Sequence, residues 1–414
     1  MHWTLYFDRR TSTVRTHISP DTVVRVCRER LSSRANEATI GDGGRTIVMP
    51  LYDFERDNQR QLIASHLQRY GRLTGPRKEG AFGEIFTFEC DRYPRHIVAK
   101  CPKIEKFGSD ARARETLGKT VIELEKTLSY YRHPGVHRIS GLELVHGWPF
   151  LMSRLRKGTL ADLIADPTQW TLTSKLMSLV QIARTLNYCQ RVGLIAHQDL
   201  KPDNIFFDLP KEKYAIEADN YVGMVHEIYV ADFGIADAFR DIGKNSGSYP
   251  YMAPEQHTKG LLEDGSKIDV FALAVIAFEC LSDGLHPIGE RTSDVWPIRL
   301  PEKPRKWGHE EVWKTWARRE KTITFEGAAE HTPIVVRDLI RRSLSTEPQR
   351  RPSMSDFEET LWDTLQTVDA DSAAGLRMQL DYLEGLASNP ESGWPYMEHR
   401  LYELREFYAQ WGLE

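Results

Sequence analysis

Residues 195–207 read IAHQDLKPDNIFF, a stretch that places an acid, a lysine and an amide between two apolar runs. The carboxylate of Asp199 could accept a hydroxyl proton, and the amide oxygen of Asn204 could help to hold a divalent metal. Lys201 between them supplies a compact positive charge for a phosphoryl group in transfer. Asp, Asn and Pro are also ordinary turn residues, so the loop alone is equally compatible with a plain polar turn.

The bulk composition bounds the class of protein. With 414 residues, 41% of them hydrophobic, the chain can form one large bilobal domain with extensions, or several domains. A net charge of -4 gives no strong sign of nucleic-acid binding. There is no signal-peptide pattern and no apolar run near the about 20 residues of a membrane helix, so we expect no membrane partner. The cysteines are scattered without a CxxC pair, which favours a reducing compartment and a cytoplasmic protein: Cys27, Cys90, Cys101, Cys189 and Cys280.

Three distant segments could complete a site with this loop. In VADFGIA, Asp232 follows a short apolar strand, so its carboxylate would project at the strand end onto a metal. In HIVAKCPK, Lys100 lies on a β-branched strand. The third segment, GSYPYMAPE at 247–255, ends with Pro254 and Glu255.

In this order, the segments resemble the motifs of the eukaryotic-type Ser/Thr protein kinase family. The resemblance covers about 73–362 and implies an α+β, bilobal fold. Its small β-rich N-lobe would span about 73–152, and its large, mostly helical C-lobe about 156–362. An unassigned mixed α/β extension at 1–72 would precede it, and a helical, acidic extension at 363–414 would follow it.

The resemblance also implies roles for the central residues. Asp199 would orient or deprotonate the substrate hydroxyl, and Lys201 matches the loop lysine of Ser/Thr kinases. Asn204 and Asp232 would hold the two Mg²⁺ ions that bridge the phosphates of ATP. Lys100 would contact the α- and β-phosphates and pair with a glutamate on the following helix.

That glutamate has two candidates. Both Glu123 and Glu125 lie within one residue of the expected distance before His133. With Glu123 chosen, Leu117 and Val121 fall on the expected apolar positions, so we prefer Glu123. An exposed helix charge is the alternative for either one.

The ATP site departs from the family pattern at its glycine loop. The segment KEGAFGEI carries Lys78 where the first glycine is expected, and keeps two later glycines for close backbone approach to phosphate. By spacing from Gly158, Met152 would be the gatekeeper, and Leu155 the hinge residue facing adenine. The residues expected at ATP are Gly80, Gly83, Ile85, Ala99, Lys100, Met152 and Leu155.

Gln198 stands where most regulated family members carry an arginine that binds a phosphate on the activation segment. Glutamine has no charge and cannot make that pair. We therefore expect a non-RD kinase whose activity does not depend on activation-segment phosphorylation. Three structural roles also follow from the resemblance: Ser248 would reach the catalytic Asp and Lys, Glu255 would pair with Arg351, and Asp269 would support the catalytic loop.

The leading hypothesis is a kinase that uses ATP and Mg²⁺ to phosphorylate Ser or Thr of a protein substrate. The alternative from another class is a pseudokinase that acts as a scaffold or binding module. A small-molecule kinase is a third possibility, against which the APE-like segment and the Asp269 helix speak. At the C-terminal end, an apolar stripe predicts a helix at 396–414 that docks on its own domain or on a partner.

Overall fold

The computed structural model describes most of the two predicted lobes. It describes residues 56–79, 83–91, 96–102, 120, 123–146, 148–210, 226–237, 247–258, 265–296 and 307–387. Both the predicted helix at 396–414 and Gly80 lie outside these residues. None of the described helices is long and apolar enough to cross a membrane.

The N-lobe is built on a five-stranded antiparallel sheet with the order β1-β2-β3-β5-β4. Its strands are β1 (Arg72–Glu79), β2 (Glu84–Glu89), β3 (His96–Cys101), β4 (Ile139–Val145) and β5 (Trp148–Arg154). Helix α1 (Arg56–Leu67) precedes the sheet, and helix α2 at 123–130 comes between β3 and β4.

Strand β2 shows why these residues form a sheet. Its side chains alternate between the core and the surface, and β-branched and aromatic residues suit such a half-buried pleat. Phe86 and Phe88 point inward, and Phe86 packs against Phe150 of β5 with ring centroids 5.8 Å apart. The N-lobe therefore has its own hydrophobic core beneath the sheet.

Part of the predicted N-terminal extension belongs to this lobe. Ile63 and Leu67 of α1 are fully buried in the N-lobe core. Just after the helix, Arg69 and Tyr70 both donate hydrogen bonds to Glu143 on β4. Apolar burial and a charged pair thus hold the last part of the 1–72 extension on the sheet.

The C-lobe is mostly helical. Its helices are α3 (Leu160–Ala165), α4 (Leu172–Arg191), α5 (Ile268–Leu281), α6 (Thr292–Val295), α7 (Glu310–Ala317), α8 (Ile334–Ser343), α9 (Met354–Val368) and α10 (Ala370–Ala387). A small sheet joins them, in the order β6 (Gly158–Thr159), β7 (Ile205–Asp208), β8 (Glu227–Val230). Every residue of α5 is buried, as its all-round hydrophobicity predicts.

Helix α10, within the predicted acidic extension, packs on α4. Arg184 of α4 donates to Glu384 at 2.6 and 3.0 Å and to Asp381 at 3.2 Å. On its inner face, Leu376 and Leu380 are buried. The described part of this extension is therefore an integral layer of the C-lobe.

Candidate active site

The candidate catalytic loop lies between α4 and β7, and a buried carboxylate holds its backbone. Asp269, at the start of α5, accepts from the backbone N–H of His197 at 2.7 Å and of Gln198 at 3.2 Å. Burial raises the pKa of Asp269 above its ordinary value. Gln198 has a φ of +67°, a conformation that costs free energy for a non-glycine residue unless its surroundings fix it. The loop is thus held by contacts from a distant helix.

Asp199 lies at the centre of a compact polar cluster. Its carboxylate accepts from Lys201 Nζ at 2.9 Å, from Asn204 Nδ2 at 3.2 Å and from Ser248 Oγ at 2.7 Å. Lys201 Nζ also donates to Ser248 Oγ at 2.9 Å. The serine joins the end of the activation segment to the loop, as the resemblance implies. An acid is thereby fixed beside a cation.

Lys100 meets two carboxylates from different elements. Its Nζ lies 2.7 Å from Glu123 Oε1 on α2 and 3.0 Å from Asp232 Oδ1. Of the two candidate glutamates, Glu123 is the one that the structure joins to Lys100. Burial would lower the pKa of Lys100, but the Asp232 and Glu123 carboxylates outweigh it and raise that pKa above its ordinary value. The ammonium is therefore well matched to charged phosphate oxygens.

The pKa values of the two acids beside Lys100 are shifted in opposite directions. At Asp232, burial acts upward, but the Lys100 ammonium prevails and lowers the pKa below its ordinary value. At Glu123, burial prevails and raises the pKa. An Asp232 that stays ionised suits a cation ligand.

Asp232 is fixed by the residue that follows it. Phe233 is fully buried, and its ring centroid lies 4.8 Å from that of His197 and 5.3 Å from that of Tyr130. The φ of Asp232 is +66°, so the chain turns sharply at this point. Packing of Phe233 directs the preceding carboxylate toward Lys100.

Asn204 and Asp232 fit the chemistry of a magnesium site. The N–H of Ala231 donates to the carbonyl of Asn204 at 2.9 Å, which ties the two segments together. The Asn204 amide nitrogen donates to the carbonyl oxygen of Asp199 at 2.9 Å, which leaves its amide oxygen as the group suited to a cation. A carboxylate and an amide oxygen are the hard ligands that Mg²⁺ prefers.

The predicted ATP-binding residues lie along the sheet. Ala99 pairs with both Phe86 and Met152, and Ile85 lies opposite Lys100. The amide of Leu155 donates to the carbonyl of His96 at 3.2 Å. The side chain of Leu155 is 41% exposed, so it is available to a ligand instead of being part of the core.

The glycine loop is described only at its edges. Lys78 lies within β1, opposite Ile85, so the lysine at the first glycine position does not interrupt the strand. At Gly83, a Cβ would come within 2.5 Å of the carbonyl oxygen of Cys101. Close packing against β3 therefore requires glycine here, quite apart from any phosphate.

The Glu255–Arg351 pair forms a bidentate bridge behind the activation segment. Arg351 donates to the two carboxylate oxygens of Glu255 at 2.6 and 2.8 Å. The Arg351 side chain is fully buried. This bridge supports the C-lobe structurally, as the resemblance implies.

Sequence reasoning missed two residues, Lys126 and Asp237. Lys126 Nζ lies 2.9 Å from Asp237 Oδ2, which joins α2 to the segment after Phe233. They are 111 residues apart, and no motif links them. The one available signal was the position of Lys126, which is one helical turn after Glu123.

Comparisons with known proteins bear on the whole set of motifs. The family model described as protein kinase domain matches residues 78–362. The chain is 30% identical over 210 residues to calcium/calmodulin-dependent protein kinase type 1B of Rattus norvegicus, covering 48% of this chain and 52% of that protein. It is 25% identical over 319 residues to ovarian-specific serine/threonine-protein kinase Lok of Drosophila melanogaster, covering 74% and 58%.

A bacterial relative is similar in the same region. Serine/threonine-protein kinase PknH of Mycobacterium tuberculosis is 27% identical over 226 residues, covering 52% of this chain and 32% of that protein. The match to the calcium/calmodulin-dependent relative likewise spans about half of that protein's length. Because the family model covers well over half of this chain, the chain belongs to the protein kinase family.

Proposed function

We propose that this protein transfers the γ-phosphoryl group of ATP to Ser or Thr hydroxyls of a protein substrate, with Mg²⁺. The observation that carries the proposal is the cluster around Asp199, in which Lys201 and Ser248 both lie within hydrogen-bond distance of its carboxylate. Lys201 also accompanies the catalytic acid in the Ser/Thr members of the family. A protein with this site needs positioning and electrostatic stabilisation and no covalent intermediate.

Each residue of the cluster has a separate task in this proposal. Asp199 orients the substrate hydroxyl and receives its proton, while Lys201 stabilises negative charge on the transferred group. Lys100, fixed by Glu123, orients the phosphates. Bound ATP and Mg²⁺ would supply the phosphoryl group and neutralise its charge, with Asn204 and Asp232 as the metal ligands.

We propose further that activity does not require a phosphate on the activation segment. Gln198 is buried and neutral, so this position offers no cation to a phosphate. We expect phosphatase treatment to leave kcat unchanged. A tenfold rise on phosphorylation of Ser246, reversed by phosphatase, would contradict this. Ser246 itself lies outside the described residues.

We also assign the protein to the cytoplasm. Supporting this, all four cysteines among the described residues are free thiols: Cys90, Cys101, Cys189 and Cys280. Three of them are buried, as structural thiols in a reducing compartment are. Fractionation of cells that express the tagged chain tests the assignment, and recovery with the membrane pellet would overturn it.

The proposal is tested by comparing wild type with Asp199→Ala, each given labelled ATP, Mg²⁺ and a generic protein substrate. We expect label on wild type or on the substrate, and a loss of roughly 10²- to 10⁴-fold in kcat in the variant. ATP binding without transfer by wild type would favour the scaffold alternative. Transfer to small molecules alone would favour the third possibility.

A further inference from the structure

Among the described residues, a charged contact joins Lys126 of α2 to Asp237 in the segment after Phe233, and none of the motifs named above accounts for it. Resting on the proposed kinase function, we propose that Asp237 is a positioning residue: through Lys126 its carboxylate holds α2, and with it Glu123, in the arrangement that orients Lys100. The Lys126–Asp237 bridge would thus do permanently what a phosphate on the activation segment does where one is needed.

Asp237 uses both of its carboxylate oxygens. Oδ1 accepts from the backbone N–H of Ile195 at 2.9 Å and of Ala196 at 2.8 Å, at the start of the catalytic loop. Oδ2 accepts from Lys126 Nζ at 2.9 Å. The backbone N–H of Asp237 also donates to the carbonyl of Ala196 at 2.9 Å. One side chain therefore connects the loop in the C-lobe to the helix in the N-lobe.

The burial of Asp237 carries a cost in free energy that its contacts must offset. Its side chain is 0% exposed, while that of Lys126 is 18% exposed. Removing a carboxylate from water is unfavourable unless charge and hydrogen bonds compensate. Asp237 also has a φ of +57°, which costs free energy for a non-glycine residue. Two unfavourable features at one position persist because several contacts oppose them, and such positions concentrate at functional sites.

The position of Lys126 on α2 connects the bridge to the chemistry. Lys126 follows Glu123 by three residues, so both side chains project from neighbouring positions on one helix face. Glu123 meets Lys100 at 2.7 Å, and Lys126 meets Asp237 at 2.9 Å. Rotation or withdrawal of the helix would break both contacts together, so the bridge stabilises the geometry of Lys100.

Gln198, in the same loop, supports this proposal independently. A neutral side chain there gives an added phosphate no cation with which to fix the loop. Asp237 supplies a fixed negative charge within the fold and binds that loop through Ile195 and Ala196. The requirement for a phosphate is thereby replaced by a residue of the chain.

The test removes each charge while keeping the shape of the side chain. In the full chain, we expect Lys126→Met and Asp237→Asn each to lower kcat roughly tenfold to hundredfold, with the KM for protein substrate within about twofold of wild type. The double variant should lose no more than the worse single variant, because both remove one interaction. Lys126→Arg keeps the charge and should restore kcat to within about threefold of wild type.

A matched control separates positioning from general stability. Lys175 Nζ lies 2.5 Å from Asp283 Oδ1 in the C-lobe, and its side chain is 10% exposed. Lys175→Met therefore removes another largely buried lysine from an ion pair, at a position away from the site, and should leave kcat unchanged even if Tm falls. Because Asp237→Asn disturbs a buried position and could prevent folding, the partly exposed Lys126→Met carries the test by itself.

Hydrogen–deuterium exchange gives a readout that does not need activity. We expect faster exchange at 123–130 and at 195–204 in Lys126→Met, and no change there in Lys175→Met. If wild type transfers no phosphate, the proposed function fails, but exchange still decides whether the bridge holds the helix. Wild-type kcat together with wild-type exchange in Lys126→Met would overturn the proposal.

Discussion

The two lobes hold their candidate catalytic groups in different ways. In the C-lobe, the backbone of the loop that carries Asp199 is bound by the buried carboxylate of Asp269. In the N-lobe, Lys100 is placed by the register of β3 and by side-chain contacts, chiefly with Glu123. The first arrangement is part of the core, whereas the second is made by partly exposed side chains of β3 and α2.

This difference predicts different consequences of mutation. Asp269 is 0% exposed and satisfies two backbone N–H groups that would otherwise be buried without partners. The Lys100 and Glu123 side chains are 27% and 15% exposed, so water can replace part of their contact. Loss of the Asp269 contacts in the C-lobe should therefore lower the free energy of unfolding. Loss of the Lys100–Glu123 contact in the N-lobe should mainly lower activity.

Asp269→Ala should show the largest effect. It leaves the N–H groups of His197 and Gln198 buried without acceptors, and we expect the free energy of unfolding to fall by about 2–5 kcal/mol. Activity should fall as well, because the loop loses its support. Urea unfolding and kcat on the same preparation test both. Asp269→Asn keeps an acceptor oxygen and should lose less; equal losses in the two variants would show that acceptors are not the cause.

The buried carboxyl of Glu279, on α5 in the C-lobe, should make the stability of the protein depend on pH. Burial raises its pKa from 4.5 to about 7, even though the hydroxyls of Thr292 and Tyr251 donate to it, and Asp203 adds negative charge nearby. Between about pH 4.5 and about pH 7, the folded state binds more protons than the unfolded state, so the free energy of unfolding falls as pH rises. A pKa shift of this size lowers the free energy of unfolding by roughly 3 kcal/mol above neutral pH, relative to its value at acidic pH.

Glu279→Gln should remove this part of the pH dependence. Urea unfolding of wild type and variant at about pH 5 and about pH 8 measures it as the difference between the two proteins. The variant should gain stability relative to wild type at the higher pH, because its amide still accepts from Tyr251 and carries no charge. If the difference in free energy of unfolding between wild type and variant is the same at both pH values, the raised pKa of Glu279 is contradicted.

Glu123→Gln tests the N-lobe half of the comparison. We expect kcat to fall roughly tenfold to hundredfold while Tm changes little, because the pair with Lys100 orients a side chain more than it stabilises the lobe. Glu125→Gln, two residues away on the same helix, is the matched control and should keep kcat within about twofold. A larger effect at Glu125 would reverse the assignment that the contacts support.

The smallest effect is expected at the junction of α4 and α10. Arg184 meets Glu384 and Asp381, and its side chain is 22% exposed. We expect Arg184→Ala to lower the free energy of unfolding by about 1 kcal/mol, less at high salt, with kcat unchanged. Urea unfolding at low and high salt measures it. A loss of activity would show that this extension acts on the site as well as on stability.

Local sequence was sufficient for the main features of this protein. The bilobal fold followed from the resemblance of several motifs, in their order along the chain, to those of the protein kinase family. Each motif is local, as Asp199, Lys201 and Asn204 in one loop are. The sequence of helix α5 is apolar on every side, and a helix of that kind must be buried, as α5 is. The choice between Glu123 and Glu125 could not be made as firmly, since both lie at nearly the same spacing.

What the sequence by itself determined was therefore the family and the two lobes, together with a set of candidate site residues that lacked Lys126 and Asp237. Only the tertiary structure decided which side chains meet: Glu123 with Lys100 within the N-lobe, and Lys126 with Asp237 across the lobes. The physical reason is that such pairs join residues far apart in the chain. Their contacts depend on the rotation and placement of α2 against the catalytic loop, which no local pattern records.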